Sequence, residues 1–317
     1  MNASFRSTAV VGAGAVGSFF GAMLARAGHA VTLIARPAHA EAIERDGLRL
    51  QRAGRIETIR LDARTDLAAV RGADLVLFCV KSTDTESVAM AIAPHLDEGA
   101  LVVSLQNGVE NAATIAAAVR PLVVPAVVYV ATAMPAPGVV SHHGRGDLVV
   151  GALDKATAND PAVSARLQAL VDFFATAQVP VRISADVMAE LWSKLMVNCA
   201  YNAISGIAQA SYGRLAAMAE VRALQETVVR EVVALAAAEG VNLPLAPALE
   251  AMQRIAAAMP AQLSSTAQDM ARAKPSEIDH LNGFVARRGA ALGVATPANQ
   301  ALHALVKLIE SKPRPGG

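Results

Sequence analysis

Aromatic side chains make up only 3% of the 317 residues, with a single Trp. Proteins that hold single-stranded nucleic acid stack bases on exposed rings, and so few rings exclude such a platform. Cysteine is nearly absent too: there are 2, Cys79 and Cys199, far apart and in no CxxC pattern. That excludes a disulfide scaffold and a cysteine-ligated zinc, and suits a reducing compartment, the cytoplasm. No sign of charge dominates, since 28 Lys plus Arg face 27 Asp plus Glu for a formal net charge of +1. Nothing in that balance attracts nucleic acid or an anionic membrane. Charged residues are only 17% and hydrophobic ones 54%, the reverse of a disordered chain. At about 150 residues per domain, the length predicts two domains whose cores need no metal or disulfide staple.

Long uncharged stretches do occur, at 7–25, 121–144 and 195–213. Each approaches the ~20 residues that cross a bilayer. The first follows Arg6, as a leader would, but Gly12, Gly14, Gly17 and Gly21 make a poor apolar h-region. Pro121, Pro125, Pro135 and Pro137 break the second, and Asn198, Asn202 and Ser205 interrupt the third. Elements buried on all sides, in a parallel sheet and a helical core, explain these runs better than membrane spans.

The first half alternates short β-rich runs with helical ones. Strands are expected at 8–11, 30–34, 74–80, 100–105, 122–130 and 179–183, the fifth weakened by Pro125. Unbroken apolar runs mean burial on both faces, hence a parallel sheet wrapped by helices. Segments 139–142 and 147–150 read as a hairpin turning at 143–146, and 162–177 as a helix. Beyond about residue 185 no β-rich run appears. Helices are expected at 187–207, 221–239, 246–258, 262–273, 276–292 and 299–311, with Pro244, Pro260, Pro275 and Pro297 between them. The division is therefore an α/β domain over 1–185 and an all-α domain over 186–317, with 1–6 and 312–317 as loose ends.

Gly12-Ala13-Gly14-Ala15-Val16-Gly17 matches GxGxxG directly after a strand and at the head of a helix, the context that makes the motif a dinucleotide fingerprint. Gly12 permits the tight turn, Gly14 lets a pyrophosphate approach the backbone, and Gly17 lets helix and strand pack. The helix N-terminus then offers N–H groups and partial positive charge to phosphates. About twenty residues on, NAD sites carry an acidic side chain for the ribose hydroxyl. Arg36 stands there instead. A guanidinium can fork onto a 2′-phosphate, so NADP(H) is the expected cofactor. Lys81 and Asn107 follow two further strands and point toward the crevice where such sheets bind ligands. An Asn-Gly pair such as Asn107-Gly108 also serves ordinary turns.

Glu190, Lys194, Asn198 and Asn202 recur at i, i+4 and form one line along a helix that is otherwise apolar. A buried lysine or asparagine is costly without a partner, so the stripe is expected to line a polar crevice. A polar network between packed helices, with Glu190 and Lys194 as an ion pair, would leave the same pattern. His142 and His143 have no metal-ligand spacing and read as exposed loop residues; no metal is expected. Cys199 reads as packing, with no histidine partner to activate it.

The glycine turn, Lys81-Ser82, Gln106-Asn107-Gly108, the run from Leu191 to Cys199 and Glu277-Ile278-Asp279-His280-Leu281-Asn282-Gly283 resemble the ketopantoate reductase (2-dehydropantoate 2-reductase) family. They fall in the family's order over nearly the whole chain. The resemblance implies a Rossmann-type domain followed by a 6-phosphogluconate-dehydrogenase-like helical domain that carries substrate and catalytic residues. It implies NADPH-dependent reduction of 2-dehydropantoate to (R)-pantoate for pantothenate and coenzyme A synthesis. Lys194 would be the general acid toward the C2 oxygen, and Glu277 would bond the same hydroxyl, orient the lysine or touch the cofactor. Asn198, Asn202 and Ser265 would hold the substrate's carboxylate and hydroxyls. Asn107 would sit by the nicotinamide, Ala133 would lend backbone to the cofactor, and Lys81 with Arg36 would flank the 2′-phosphate. Partners are then a small 2-oxo acid, with neither nucleic acid nor membrane, and a homodimer is compatible. The family often has Asn-Pro-Leu-Thr where this chain has Asn202-Ala203-Ile204-Ser205, and some members have a substrate-binding asparagine at the place of Tyr212. Two alternatives stay open: a paralogue reducing another 2-oxo acid, and a non-catalytic NADP(H)-binding sensor on the same fold.

Overall fold

The computed structural model describes residues 5–311; positions 1–4 and 312–317, most of the expected loose ends, lie outside the described residues. Phe5 and Arg6 are not loose. Phe5 packs edge-on against Phe173 with ring centroids 5.3 Å apart, and the Arg6 amide donates to Asp74 Oδ2 at 2.9 Å. The chain divides into two units, Met1–Met188 and Ala189–Gly317.

The strands of the first unit are β1 (Ser7–Val11), β2 (Ala30–Ile34), β3 (Leu48–Arg52), β4 (Arg55–Ile59), β5 (Asp62–Arg64), β6 (Leu75–Phe78), β7 (Leu101–Ser104), β8 (Leu122–Ala136), β9 (Val139–Val150) and β10 (Val181–Ile183). Its helices are α1 (Ala15–Arg26), α2 (Pro37–Asp46), α3 (Thr85–Ile92), α4 (Asn111–Ala118), α5 (Lys155–Ala158) and α6 (Pro161–Thr176). The sheet runs β5-β2-β1-β6-β7-β8-β9-β3-β4, with β10 beside β9. From β5 to β8 every pairing is parallel. Alternate residues serve opposite cores, as a strand period of 2 requires. Val10, Leu33, Leu75, Leu77 and Leu101 meet Phe20 of α1 and Phe174 of α6 on one face. Ala9, Val11, Ile34, Val76 and Phe78 meet Ile92 of α3 and Ile115 of α4 on the other.

The remaining sheet departs from the expected one. β8 continues well past residue 130 to Ala136. Its first residues pair with β7 up to Pro125, and from Ala126 it pairs antiparallel with β9. Pro125 has no N–H to donate, and it stands at this hand-over instead of ending the strand. The hairpin turns at Pro137-Gly138, where Gly138 has φ +72°, and not at 143–146. Those residues stay within β9 as an irregular stretch with register shifts against β8. His142 is consequently no loop residue: its ring stacks on Phe19 at 4.5 Å and bonds the Arg145 carbonyl at 2.6 Å. β3 and β4 are rich in Arg, Gln and Glu, and β4 is exposed along most of its length, so neither announces itself by an apolar run.

The second unit holds most of α7 (Val187–Ala208), then α8 (Tyr212–Ala217), α9 (Ala219–Ala238), α10 (Leu245–Ala258), α11 (Ser265–Ala271), α12 (Asn282–Leu292) and α13 (Pro297–Glu310). A buried polar chain ties it together. Glu231 of α9 accepts from the Ala298 and Asn299 amides at 2.8 and 3.0 Å, at the head of α13. Asn299 Nδ2 also donates to Glu231 at 2.7 Å, and Asn282 Nδ2 donates to Asn299 Oδ1 at 2.9 Å and to the Cys199 carbonyl of α7 at 3.1 Å. A carboxylate at a helix N-terminus satisfies amides that lack intrahelical partners. The expected helix 276–292 begins only at Asn282; a 3-10 turn over Ile278–His280 precedes it, with Glu277 at its head. No helix among the described residues is long and apolar enough to cross a membrane.

Candidate active site

The glycine turn is built as its residue types require. Gly12 has φ +84°, and a Cβ there would stand 2.6 Å from the Val80 backbone nitrogen. A Cβ at Gly17 would meet the Gly12 carbonyl at 2.9 Å and Val10 Cγ1 at 2.9 Å, whereas one at Gly14 would meet nothing within 4 Å. The turn is pinned to the end of β2 by the Gly12 and Ala13 amides, which donate to the Ile34 carbonyl at 3.1 and 2.9 Å. Gly14 is the N-cap of α1 and no side chain caps it. Close packing at Gly12 and Gly17 and an open, uncapped helix start at Gly14 fit a bound pyrophosphate.

Two residues that sequence reasoning passed over brace this turn. The Gly138 amide donates to His39 Nδ1 at 2.8 Å, so the proton of the neutral ring sits on Nε2, 3.0 Å from Ser18 Oγ. Ser18 in turn donates to the Ala13 carbonyl at 3.1 Å. Burial lowers the His39 pKa from its ordinary 6.5. The unfolded chain therefore binds the proton first as the pH falls, so this histidine's contribution to stability is full above 6.5 and declines below it. His39→Gln is expected to flatten the fall in unfolding free energy between neutral and mildly acid pH, measured by urea melts. A slope equal to wild type would show that His39 carries none of it.

Arg36 is exposed at the end of β2, as the N-cap of α2 with Pro37 next to it. Lys81 is exposed beyond β6, two residues after Cys79, whose amide donates to Val11 at 2.8 Å. Asn107 is half-buried beyond β7, and its carbonyl accepts from Ser82 Oγ at 3.3 Å. The turn, Arg36, Lys81 and Asn107 thus lie at the carboxyl ends of neighbouring parallel strands, the edge where open α/β sheets take ligands. Ala133 lies further along β8, half-buried opposite Ser141 of β9.

In the second unit α7 carries the polar stripe on one face. Glu190, Lys194 and Asn198 are half-buried and Asn202 is buried. Asn202 Nδ2 donates to Ser265 Oγ at 3.4 Å, joining two residues expected to hold substrate. The segment bearing half-buried Glu277 is braced from α13. Ser276 donates its amide to Glu310 at 2.8 Å, and Asp279 bonds His303 at 2.6 Å and Lys307 at 2.7 Å. Burial pushes the Asp279 pKa up, but hydrogen bonds from Lys307 and His303 outweigh it and hold the group below its ordinary value. Asn282, bonded to the Cys199 carbonyl, fastens this segment to the helix of Lys194 and Asn198. Two members of the quoted motif therefore serve packing: Asn282 is this tie, and a Cβ on Gly283 would stand 2.8 Å from His303 Nε2.

The departures from the family pattern are interior residues. Ala203, Ile204 and Ser205 are buried, and Ser205 donates to the Ala210 carbonyl at 2.8 Å. Tyr212 is buried with its ring 4.6 Å from that of Tyr201, and burial has pushed its phenol up to about 12. Cys199 is fully buried and burial raises its thiol pKa, as a packing role requires.

Comparison with known proteins covers nearly the whole chain. Residues 8–155 match the family model described as ketopantoate reductase PanE/ApbA, and residues 186–310 match its C-terminal counterpart. A 2-dehydropantoate 2-reductase of Halobacterium salinarum is 34% identical, with 95% of this chain and 98% of the relative covered. The 2-dehydropantoate 2-reductase of Pyrobaculum aerophilum is 35% identical, covering 95% and 97%. A crystal structure of a PanE/ApbA family ketopantoate reductase from Ralstonia eutropha JMP134 is 54% identical, with a TM-score of 0.87 and 96% and 98% of the two chains covered.

Proposed function

The chain belongs to the ketopantoate reductase PanE/ApbA family, and on that premise we propose that it reduces 2-dehydropantoate to (R)-pantoate with NADPH. It would act in the cytoplasm, on the route to pantothenate and coenzyme A. The observation that carries the reading is the open, uncapped start of α1 behind the glycine turn, in a chain matched by the family through both units.

The first unit takes the cofactor. Residues 12–17 hold its pyrophosphate, Arg36 and Lys81 flank the 2′-phosphate, and Asn107 with the Ala133 backbone borders the nicotinamide. NADPH, when bound, supplies the hydride to C2 of the oxo acid. The second unit supplies the proton and the grip. Reduction of a ketone makes an alkoxide unless a proton arrives, and the Lys194 ammonium polarises the carbonyl and delivers it. Glu277 bonds the new hydroxyl and orients the lysine, while Asn198, Asn202 and Ser265 hold carboxylate and hydroxyls.

The test is NADPH oxidation with ketopantoate beside a panel of small 2-oxo acids. Turnover strongest with ketopantoate supports the reading. Turnover confined to another oxo acid assigns a paralogous reductase, and NADPH binding without turnover assigns a sensor. The same assay with NADH tests Arg36. A charge-assisted hydrogen bond contributes about 1.5–3 kcal/mol, so Arg36→Ala should cut the NADPH-over-NADH preference in kcat/KM by about 10–100-fold. An unchanged ratio would remove Arg36 from the 2′-phosphate.

A further inference from the structure

Beneath the two strand-end loops that carry Lys81 and Asn107 lies a buried chain of neutral side chains. Ser82, Thr85, Ser104, Gln106 and Asn111 are all buried. Ser104 donates to Gln106 Oε1 at 3.1 Å. Gln106 Nε2 donates to the Val80 carbonyl at 3.0 Å and to Thr85 Oγ1 at 2.7 Å. Thr85 donates to Asn111 Oδ1 at 2.8 Å. Asn111 Nδ2 donates to Ser82 Oγ at 3.2 Å and to the Asn107 carbonyl at 2.6 Å. The hydroxyl directions are fixed by this sequence: Thr85 accepts from Gln106 and donates to Asn111, while Ser82 accepts from Asn111 and donates to Asn107.

Asn111 is the junction, the first residue of α4, and its amide uses both ends at once. The Asn107 carbonyl is held by two donors, and the next residue, Gly108, adopts φ +95°. Clamping that carbonyl fixes the peptide plane after Asn107, and with it the place of the Cα that bears its side chain. Lys81 is held from both neighbours, through the Val80 carbonyl and Ser82 Oγ. We infer that Asn111 is a positioning residue that sets Asn107 and Lys81 for the cofactor. The inference rests on the reading above, in which these two residues flank NADPH. A surface helix start needs no such chain; a pair of loops that must present groups to one ligand does.

Asn111→Asp separates the donors from the shape. The carboxylate keeps the acceptor toward Thr85 but faces the Asn107 carbonyl with no proton to donate. At neutral pH the full-length variant should bind NADPH about tenfold more weakly and show a comparable loss in kcat. The deficit should shrink as the pH falls, because the protonated acid regains an O–H donor to Asn107. Asn111→Ala should show the deficit without that recovery. Thr85→Val, which removes one link and keeps the shape, should weaken NADPH binding in the same direction and supplies the test if the Asp variant does not fold. The decisive readout is NADPH fluorescence titration across pH at temperatures well below each melting midpoint. NADPH affinity equal to wild type in these variants, or a deficit in Asn111→Asp that does not move with pH, would overturn the inference. Should wild type reduce no oxo acid, the proposed reaction fails, and the NADPH titrations still decide the role of Asn111.

Discussion

Replacing Lys194 with alanine should lower kcat for ketopantoate reduction by about 10²-fold or more, with NADPH affinity near wild type. Lys194 is half-buried on the polar face of α7, on the line that also bears Asn198 and Asn202. An ammonium in that setting can do two things for a carbonyl: lend positive charge to the oxygen and transfer a proton to it. Arginine separates them. A guanidinium keeps its charge but does not give up its proton at any working pH. If proton transfer is the larger part, Lys194→Arg stays as slow as Lys194→Ala; if charge is the larger part, Arg recovers much of the rate. Steady-state kinetics of NADPH oxidation distinguish these, and near-normal turnover in the alanine variant would remove Lys194 as the proton donor.

The second large effect comes from one methyl group added at two places in the same turn. At Gly12 the backbone is left-handed and the new Cβ would stand 2.6 Å from Val80 N and 2.8 Å from Val80 Cα, backbone atoms just beyond β6 that cannot swing aside as a side chain would. Strain of the dihedral and overpacking together cost roughly 2–5 kcal/mol, so Gly12→Ala should lower the melting midpoint sharply and abolish NADPH binding. At Gly14 the space is open and φ is −75°. Gly14→Ala should therefore leave the melting midpoint within a few degrees of wild type while weakening NADPH, because the methyl stands where the pyrophosphate approaches. Thermal melts paired with NADPH titration check both. A Gly14→Ala variant with unchanged NADPH affinity would count against the turn as the phosphate site.

That pair also shows what was legible in the sequence. β6 is apolar throughout and β1 and β7 carry apolar runs because both faces are buried, so they stand out from the chain. β4 does not, because it is an exposed edge rich in charge, and β3 does not, because its buried Leu48 and Leu50 alternate with Arg and Gln. Gly144 and Gly146 resemble a turn, yet Pro137-Gly138 makes it; which glycine-bearing segment bends the chain depends on the strands that flank it. The stripe on α7 was readable because i, i+4 spacing is a local property. Glu277 was not correctly placed on a helix, since the braces that hold it in a 3-10 turn come from Glu310, His303 and Lys307, far along the chain. Asn111 and His39 were missed, and Asn282 stood in the motif without its tie to Cys199, for the same reason: each acts through hydrogen bonds to residues distant in sequence.

Cys199 sits on α7 with no exposed surface, and its carbonyl is the point where Asn282 fastens the Glu277 segment to that helix. Buried thiols are inert until the structure around them opens. Alkylating reagents therefore reach this sulfur only in molecules whose helical interior has come apart beside the polar stripe. The rate of that labelling is an intrinsic clock for local breathing where the acid and the substrate grip are proposed to lie, with no probe added to the chain.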